Sequence, residues 1–244
     1  SSGISSDAWL NSMLIQPNLF IRIRKDKDQI TKLLTARSIP HTFISDTCLS
    51  LPNSTKIEDI LPLDCYVVQD ASSQQTGNWF HPEKNEQWYD CCSGAGGKSI
   101  LLKDLKPSVH LTVTDVRERI IYNLTQRFRQ YRLVLPTAHI ADAASVQDLS
   151  KAFGTKQFDN IICDAPCSGS GTWARTPEQL FFFDSATLPG YTERQKAIAT
   201  NVVNHLKKDG RLIYITCSVF KAENEDVVSD IQDNTSLKLE HMQI

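Results

Sequence analysis

From residue 87 onward the chain alternates short apolar runs with stretches of helical period. Residues 87–92 (QWYDCC), 110–114 (HLTVT), 137–141 (TAHIA), 158–163 (FDNIIC) and 211–216 (RLIYIT) read as buried strands. Between them, residues 98–105, 117–131, 146–153 and 192–207 read as helices. The last of these carries Ile198, Val202, Val203 and Leu206 on one stripe. Strand alternating with helix predicts parallel βαβ units, hence an α/β, Rossmann-like, mostly parallel doubly wound sheet. Ligands of such sheets sit beyond the carboxyl ends of the strands.

Residues 1–80 have a different pattern. Residues 19–24 (LFIRIR) predict a strand, and residues 28–37 a helix whose apolar face is Ile30, Leu33 and Leu34. Residues 41–44 and 66–69 predict further strands. The pattern therefore predicts a small α+β domain over 1–80 and a larger domain over 81–244, joined through the polar stretch 72–84. No internal repeat or low-complexity tract is visible.

Composition removes several classes. With 41% hydrophobic and 22% charged residues the chain is not a disordered one. No apolar run approaches the roughly 18 residues of a membrane span, so no membrane partner is expected. The opening SSGISSDAWLNSMLI lacks the basic region of a signal peptide. The cysteines at 48, 65, 91, 92, 163, 167 and 217 are odd in number, which fits a reducing compartment such as the cytoplasm. No CxxC or HxxxH spacing occurs, so no metal is expected. A net charge of −2 gives no global case for nucleic acid, and such a partner must rest on local patches.

The candidate chemistry falls at the predicted strand ends. Tyr89-Asp90-Cys91-Cys92-Ser93-Gly94-Ala95-Gly96-Gly97-Lys98-Ser99 closes one strand and opens a helix. Its glycines let backbone approach a ligand, and the helix start offers free N–H groups. The spacing is neither GxGxxG nor GxxxxGK[ST], which disfavours dinucleotides and nucleoside triphosphates. Asp115 ends the next strand, placed for ribose hydroxyls, and Asp142 ends the third, placed for an adenine amine. Either acid would also serve as a helix N-cap. Taken together, the glycine turn and two successive acids favour an adenosyl cofactor without phosphates, S-adenosylmethionine (SAM).

Asp164-Ala165-Pro166-Cys167-Ser168-Gly169-Ser170-Gly171 ends the fourth strand. Thr216-Cys217-Ser218 ends the fifth, followed by Glu223-Asn224-Glu225. A cysteine in an apolar strand, such as Cys163, is a small hydrophobe. A cysteine at a strand end among Ser, Gly and Asp is accessible and can be activated as a thiolate.

These segments resemble the Sun (Fmu, RsmB-like) family of SAM-dependent RNA cytosine-5 methyltransferases. DAPCSGSG matches its fourth motif and TCSVFKAENE its sixth. DCCSGAGGK is similar to its SAM loop, and VVQDASSQQTG to the segment leading into its catalytic domain. The likeness runs from about Pro17 to Val228. It implies a SAM methyltransferase fold with Cys217 as nucleophile, Cys167 assisting proton removal and enzyme release, and Asp164 holding the base edge. It implies cofactor contacts from Cys92, Ser93, Gly94, Ala95, Gly96, Gly97 and Lys98, with Asp115 on the ribose, Asp142 near the adenine, and Asp164 also beside the cofactor. The partner implied is RNA, ribosomal or transfer, presenting an unstacked cytosine to a monomeric enzyme.

Two groups of cations are candidates for its phosphates: Arg117, Arg119, Arg127, Arg129 and Arg132 on one helix, and Arg22, Arg24, Lys25 and Lys27 on the smaller domain. Solvated faces are the plainer reading of both. The second group lies where the family carries an RNA-recognition-like module. Departures from the family include Gly94 and Ala95 for its usual Ala and Pro, which loosen the loop, and Ala174-Arg175 where it shows two arginines. The sequence also lacks the helical NusB-like domain of some bacterial members and the Gly-Phe-Phe strand that completes the family's sheet. Methylation at another nucleobase position is a weaker reading, because it needs no cysteine pair. A non-catalytic RNA-binding or assembly factor retaining the fold is the alternative from a different class.

Overall fold

The computed structural model describes residues 3–243. Helix α1 (Ser6–Ser12) leads into strand β1 (Leu19–Ile23), helix α2 (Lys27–Ala36) and strands β2 (Thr42–Phe43), β3 (Cys48–Leu51) and β4 (Tyr66–Val68). The strands pair antiparallel in the order β2-β3-β1-β4. Alternation divides β1 between two faces. Ile21 and Ile23 enter a core with Ile30 and Leu34 of α2, while Arg22 between them is buried on the other face. Strand β3 was not expected. Its four residues (CLSL) are all buried, so they show no alternation to read.

The polar joint expected over 72–84 begins with helical structure. Helix α3 (Ala71–Gln75) runs into a 3₁₀ turn ending at Trp79. Buried Gln74 donates to the Gln69 carbonyl at 2.8 Å. At Gly77 an added Cβ would lie 3.0 Å from a Leu101 methyl, so the turn packs tightly against the next helix.

The second sheet follows the predicted alternation. Strand β5 (Gln87–Asp90) is followed by helix α4 (Gly97–Leu105), β6 (His110–Asp115), α5 (Glu118–Gln130), β7 (Thr137–Ile140) and α6 (Val146–Phe153). Then come β8 (Phe158–Asp164), α7 (Pro177–Phe182), α8 (Leu188–Val203), β9 (Leu206–Ile215) and α9 (Glu225–Asn234). All five strands are parallel, in the order β7-β6-β5-β8-β9. Trp88 and Tyr89, adjacent on β5, enter opposite cores. Trp88 packs with Ile100, Leu102, Leu124 and Phe128 of α4 and α5. Tyr89 packs with Phe153, Phe158, Ile198 and Val202, beneath α6 and α8. The sheet is thus doubly wound, and its direction of winding reverses between β5 and β8. Cys163 is fully buried in the second core.

Leu206 departs from the sequence expectation. It was placed on the helical stripe of residues 192–207, but α8 ends at Val203, and Leu206 opens β9 opposite Phe158. Its apolar period fits either element. The backbone decides, because the His205 carbonyl already accepts Phe158 N at 2.8 Å as a sheet bond.

The two sheets are clasped by ions. Arg22 and Arg24 both reach Asp104 of α4 at 2.7 Å. Arg24 also donates to the Asp64 carbonyl at 2.8 Å and lies 4.8 Å above the Tyr131 ring. The expected cationic patch on the smaller sheet is therefore corrected. Its two arginines are internal struts, and Lys25 and Lys27 pair with Asp64 and Asp46. Arg22 faced inward because its strand neighbours Ile21 and Ile23 had claimed the opposite face. Val67 and Phe80 complete the contact by entering the core of the larger sheet.

Candidate active site

The glycine loop runs from the end of β5 to the start of α4. Gly94 (φ 50°) and Gly96 (φ 85°) take left-handed backbone, which glycine adopts without strain. Gly96 is also fixed by packing, since a Cβ there would stand 3.0 Å from Leu124. By contrast, a Cβ on Gly94 or Gly97 would meet nothing within 4 Å, so that side of the loop is open. Ser93 Oγ donates to the Thr114 carbonyl at 3.1 Å, and Ala95 offers its carbonyl to Arg127. Cys92 is half-buried beneath the loop.

Acids surround the opening. Asp115 accepts Gly94 N at 3.2 Å and Arg117 N at 3.0 Å, and its carboxylate is gripped by the Arg117 guanidinium. Burial works to raise the Asp115 carboxyl. The Arg117 side chain and the two backbone donors outweigh it, so the group stays below its usual range. Asp142 lies just past β7, where it accepts Ala144 N at 2.9 Å and Arg194 Nη2 at 2.8 Å. Neither acid is an N-cap, because Arg117 and Ser145 occupy those positions. The Ala141 N–H on the Asp115 carbonyl keeps the two strand ends together.

Asp90, at the end of β5, was not among the expected site residues. Its Oδ2 accepts Ser99 Oγ at 2.6 Å, whereas its buried Oδ1 has no partner. Burial pushes this carboxyl up to about 7, against the Ser99 hydrogen bond. The signal available in the sequence was a lone acid closing an otherwise apolar strand. An open glycine cradle, a helix start, acids at two successive strand ends and an orphaned carboxylate oxygen together fit an adenosyl cofactor that brings a cationic head group.

On the far side of β5 the two cysteine loops meet. Cys167 and Cys217 face each other with their sulfurs 3.3 Å apart. Gly171 N donates to the Cys217 carbonyl at 2.8 Å, and a Cβ at Gly171 would come within 2.9 Å of that oxygen. Only glycine allows the loops to approach so closely. Cys217 is exposed and Cys167 is half-buried. The Cys167 thiol bonds to Cys217 and holds it below the usual thiol range, helped by the Lys98 ammonium and opposed by burial and by Asp164. The same bond, together with burial, drives Cys167 upward. The pair is thus asymmetric, with Cys217 the sulfur favoured to ionise and Cys167 the one favoured to keep its proton. Lys98 Nζ meets Asp164 Oδ2 at 2.8 Å, which ties the glycine loop to the cysteine side. The expected residues on both sides therefore share the carboxyl edge of one sheet.

Among the helix arginines, Arg117, Arg127 and Arg132 are engaged by Asp115, Ala95 and Asp64, while Arg119 and Arg129 are exposed. Arg175 pairs with Asp70 and with the Asn18 carbonyl, and so links the two sheets. The described residues contain no cluster of His, Cys, Asp and Glu able to hold a metal ion. No helix among them is long and apolar enough to cross a membrane.

The family model for 16S rRNA methyltransferase RsmB/F matches residues 78–244. The chain belongs to this family. Ribosomal RNA small subunit methyltransferase B of Yersinia enterocolitica is 26% identical over 91% of the chain and 53% of its own length. The protein of the same name from Shewanella oneidensis is 32% identical over 66% of the chain and 37% of its own. The chain thus spans about half or less of these curated relatives. Two solved structures share the fold. A methyltransferase homolog from Pyrococcus horikoshii aligns with a TM-score of 0.77 at 20% identity, over 95% of this chain and 75% of its own. NSun6 from Pyrococcus horikoshii, solved with SFG, aligns with a TM-score of 0.79 at 13% identity, over 93% and 83%.

Proposed function

We propose that the protein methylates carbon 5 of a cytosine in RNA through a covalent adduct to Cys217. The observation carrying this reading is the thiol pair, 3.3 Å apart, with Cys217 exposed. SAM, bound at the glycine loop by residues 92–98 with Asp115 toward the ribose and Asp142 toward the adenine, supplies the electrophilic methyl group. Carbon 5 of cytosine is too weak a nucleophile until a thiolate adds at carbon 6. Cys217 is the sulfur poised to add, because it is the exposed member and the one its surroundings favour to ionise. Asp164 holds the base edge and favours protonation of the ring nitrogen as the adduct forms. After methylation, carbon 5 must lose a proton before the carbon–sulfur bond breaks. Cys167, adjacent to the adduct, assists that proton removal and the release of the enzyme.

The relatives' names favour small-subunit ribosomal RNA over transfer RNA as substrate. The residues up to 80 serve as a separate RNA-recognition-like domain, and the enzyme works as a cytoplasmic monomer. The test is transfer of labelled methyl from SAM to deproteinised small-subunit rRNA, followed by mapping of 5-methylcytosine. One discrete modified cytosine is expected. Binding of rRNA without any transfer would favour a non-catalytic assembly factor.

A further inference from the structure

The two cysteine loops share one buried carboxylate. Glu223 closes the 3₁₀ turn Lys221–Glu223 and is 0% exposed. Its Oε2 accepts the hydroxyls of both Ser168, at 2.6 Å, and Ser218. These serines are the residues immediately after Cys167 and Cys217. Its Oε1 accepts Ser168 N at 2.8 Å and Gln195 Nε2 at 3.0 Å. Gln195 in turn donates to the Pro166 carbonyl, just before Cys167, at 2.9 Å. The turn is itself pinned, because the Glu223 carbonyl accepts Tyr214 OH at 2.8 Å.

We propose that Glu223 is a positioning residue that sets the spacing of the Cys167–Cys217 pair by gripping the residue after each cysteine. The proposal rests on the reading of these cysteines as the reacting pair, and it adds a residue that touches neither sulfur. A carboxylate suits the task because it is acceptor-only and offers about four lone-pair sites, here matched by four donors. Bonds to an ionised acceptor are shorter and stronger than neutral ones. Two loops from different strands, joined directly by the Gly171 N–H on the Cys217 carbonyl, are thus also referred to a single buried group.

The spacing is read directly by cross-linking. With diamide as oxidant, the two thiols give up two hydrogens, the S–S bond forms and diamide is reduced. Intact mass then measures the rate. Glu223→Ala, and the double variant Ser168→Ala with Ser218→Ala, are compared with the parent well below their melting temperatures. Cross-linking is expected to slow at least about tenfold in both, since small displacements of reacting groups cost rate steeply. Glu223→Gln keeps the shape and the number of contacts, since serine hydroxyls accept as well as donate. It is expected to restore the parent rate within a few-fold. If Glu223→Ala fails to fold, the double serine variant carries the test. Folded variants that cross-link as fast as the parent would overturn the proposal, and so would a Glu223→Gln variant as slow as Glu223→Ala. Cross-linking needs neither RNA nor methyl donor. A parent chain that never methylates rRNA therefore removes the functional reading and leaves this result to be judged by itself.

Discussion

At the ends of β8 and β9 the chain is tied by side chains. Glu223 bonds both serines, Ser170 N–H and hydroxyl groups face Ser168 and Ser218, and Thr216 reaches Asn224. At the ends of β5, β6 and β7 the chain is held from behind and left open in front. Gly96 leans on Leu124, Gly94 and Gly97 face empty space, and Asp90 keeps one buried oxygen without a partner. The two acids there are satisfied by Arg117 and Arg194, both at the surface. On the proposed function, the cysteine half holds reacting atoms at fixed spacing. The glycine half then exchanges its partners for a ligand. Preorganisation belongs where bonds are made, and replaceable contacts belong where a cofactor must enter and leave.

Three substitutions probe this division. The largest effect is expected from Gly171→Ala, because the new Cβ would meet the Cys217 carbonyl at 2.9 Å. Methyl transfer should fall about 100-fold, the cost of a misplacement of the order of an ångström. SAM affinity measured by calorimetry should stay within a few-fold of the parent. Equal losses in both would show that the halves are not separable.

Asp115→Ala strikes the other half. The carboxylate makes charge-assisted bonds worth roughly 1.5–3 kcal/mol, so the SAM dissociation constant should rise about 10- to 150-fold. The diamide cross-linking rate of the cysteine pair should be unchanged. An unaltered dissociation constant in the folded variant would reduce Asp115 to a support for Arg117 and Gly94.

The third substitution concerns Asp90 and is read in stability against pH. Its carboxyl is raised by burial to about 7, so the folded chain holds a proton that the unfolded chain releases near the ordinary aspartate value of 3.8. Its contribution to stability is therefore present at low pH and lost as pH rises through about 7. Asp90→Asn should remove that downward slope, read by urea unfolding across this window, and be relatively more stable than the parent above it. A slope identical in both chains would mean that Asp90 ionises freely in the fold.

Much of this was legible in the sequence because the period of apolar residues and the polar strand ends are local signals. Residues 87–92, 110–114, 137–141 and 158–163 announced four strands of the large sheet, and DAPC and TCS announced both cysteines. What was not legible depended on partners far along the chain. Arg22 and Arg24 read as a solvent-facing patch, because nothing nearby in sequence shows Asp104 waiting on α4. Leu206 kept a helical spacing while beginning a strand. β3 was too short and too uniformly buried to show a period. Glu223 was visible only as an acid after Cys217. Its grip on Ser168 needed the fold to bring the β8 and β9 loops side by side.

The central claim is the division of labour between the two sulfurs, and a denaturing gel tests it most directly. Parent, Cys217→Ala and Cys167→Ala chains are incubated with small-subunit rRNA already shown to be a substrate, in the presence of SAM. Cys217→Ala should neither methylate nor form a denaturation-resistant adduct, because no thiolate adds at carbon 6. Cys167→Ala should accumulate such an adduct, because addition proceeds while release is slowed. Trapping by Cys217→Ala but not by Cys167→Ala would reverse the roles, and normal methylation by both variants would contradict the thiol mechanism outright.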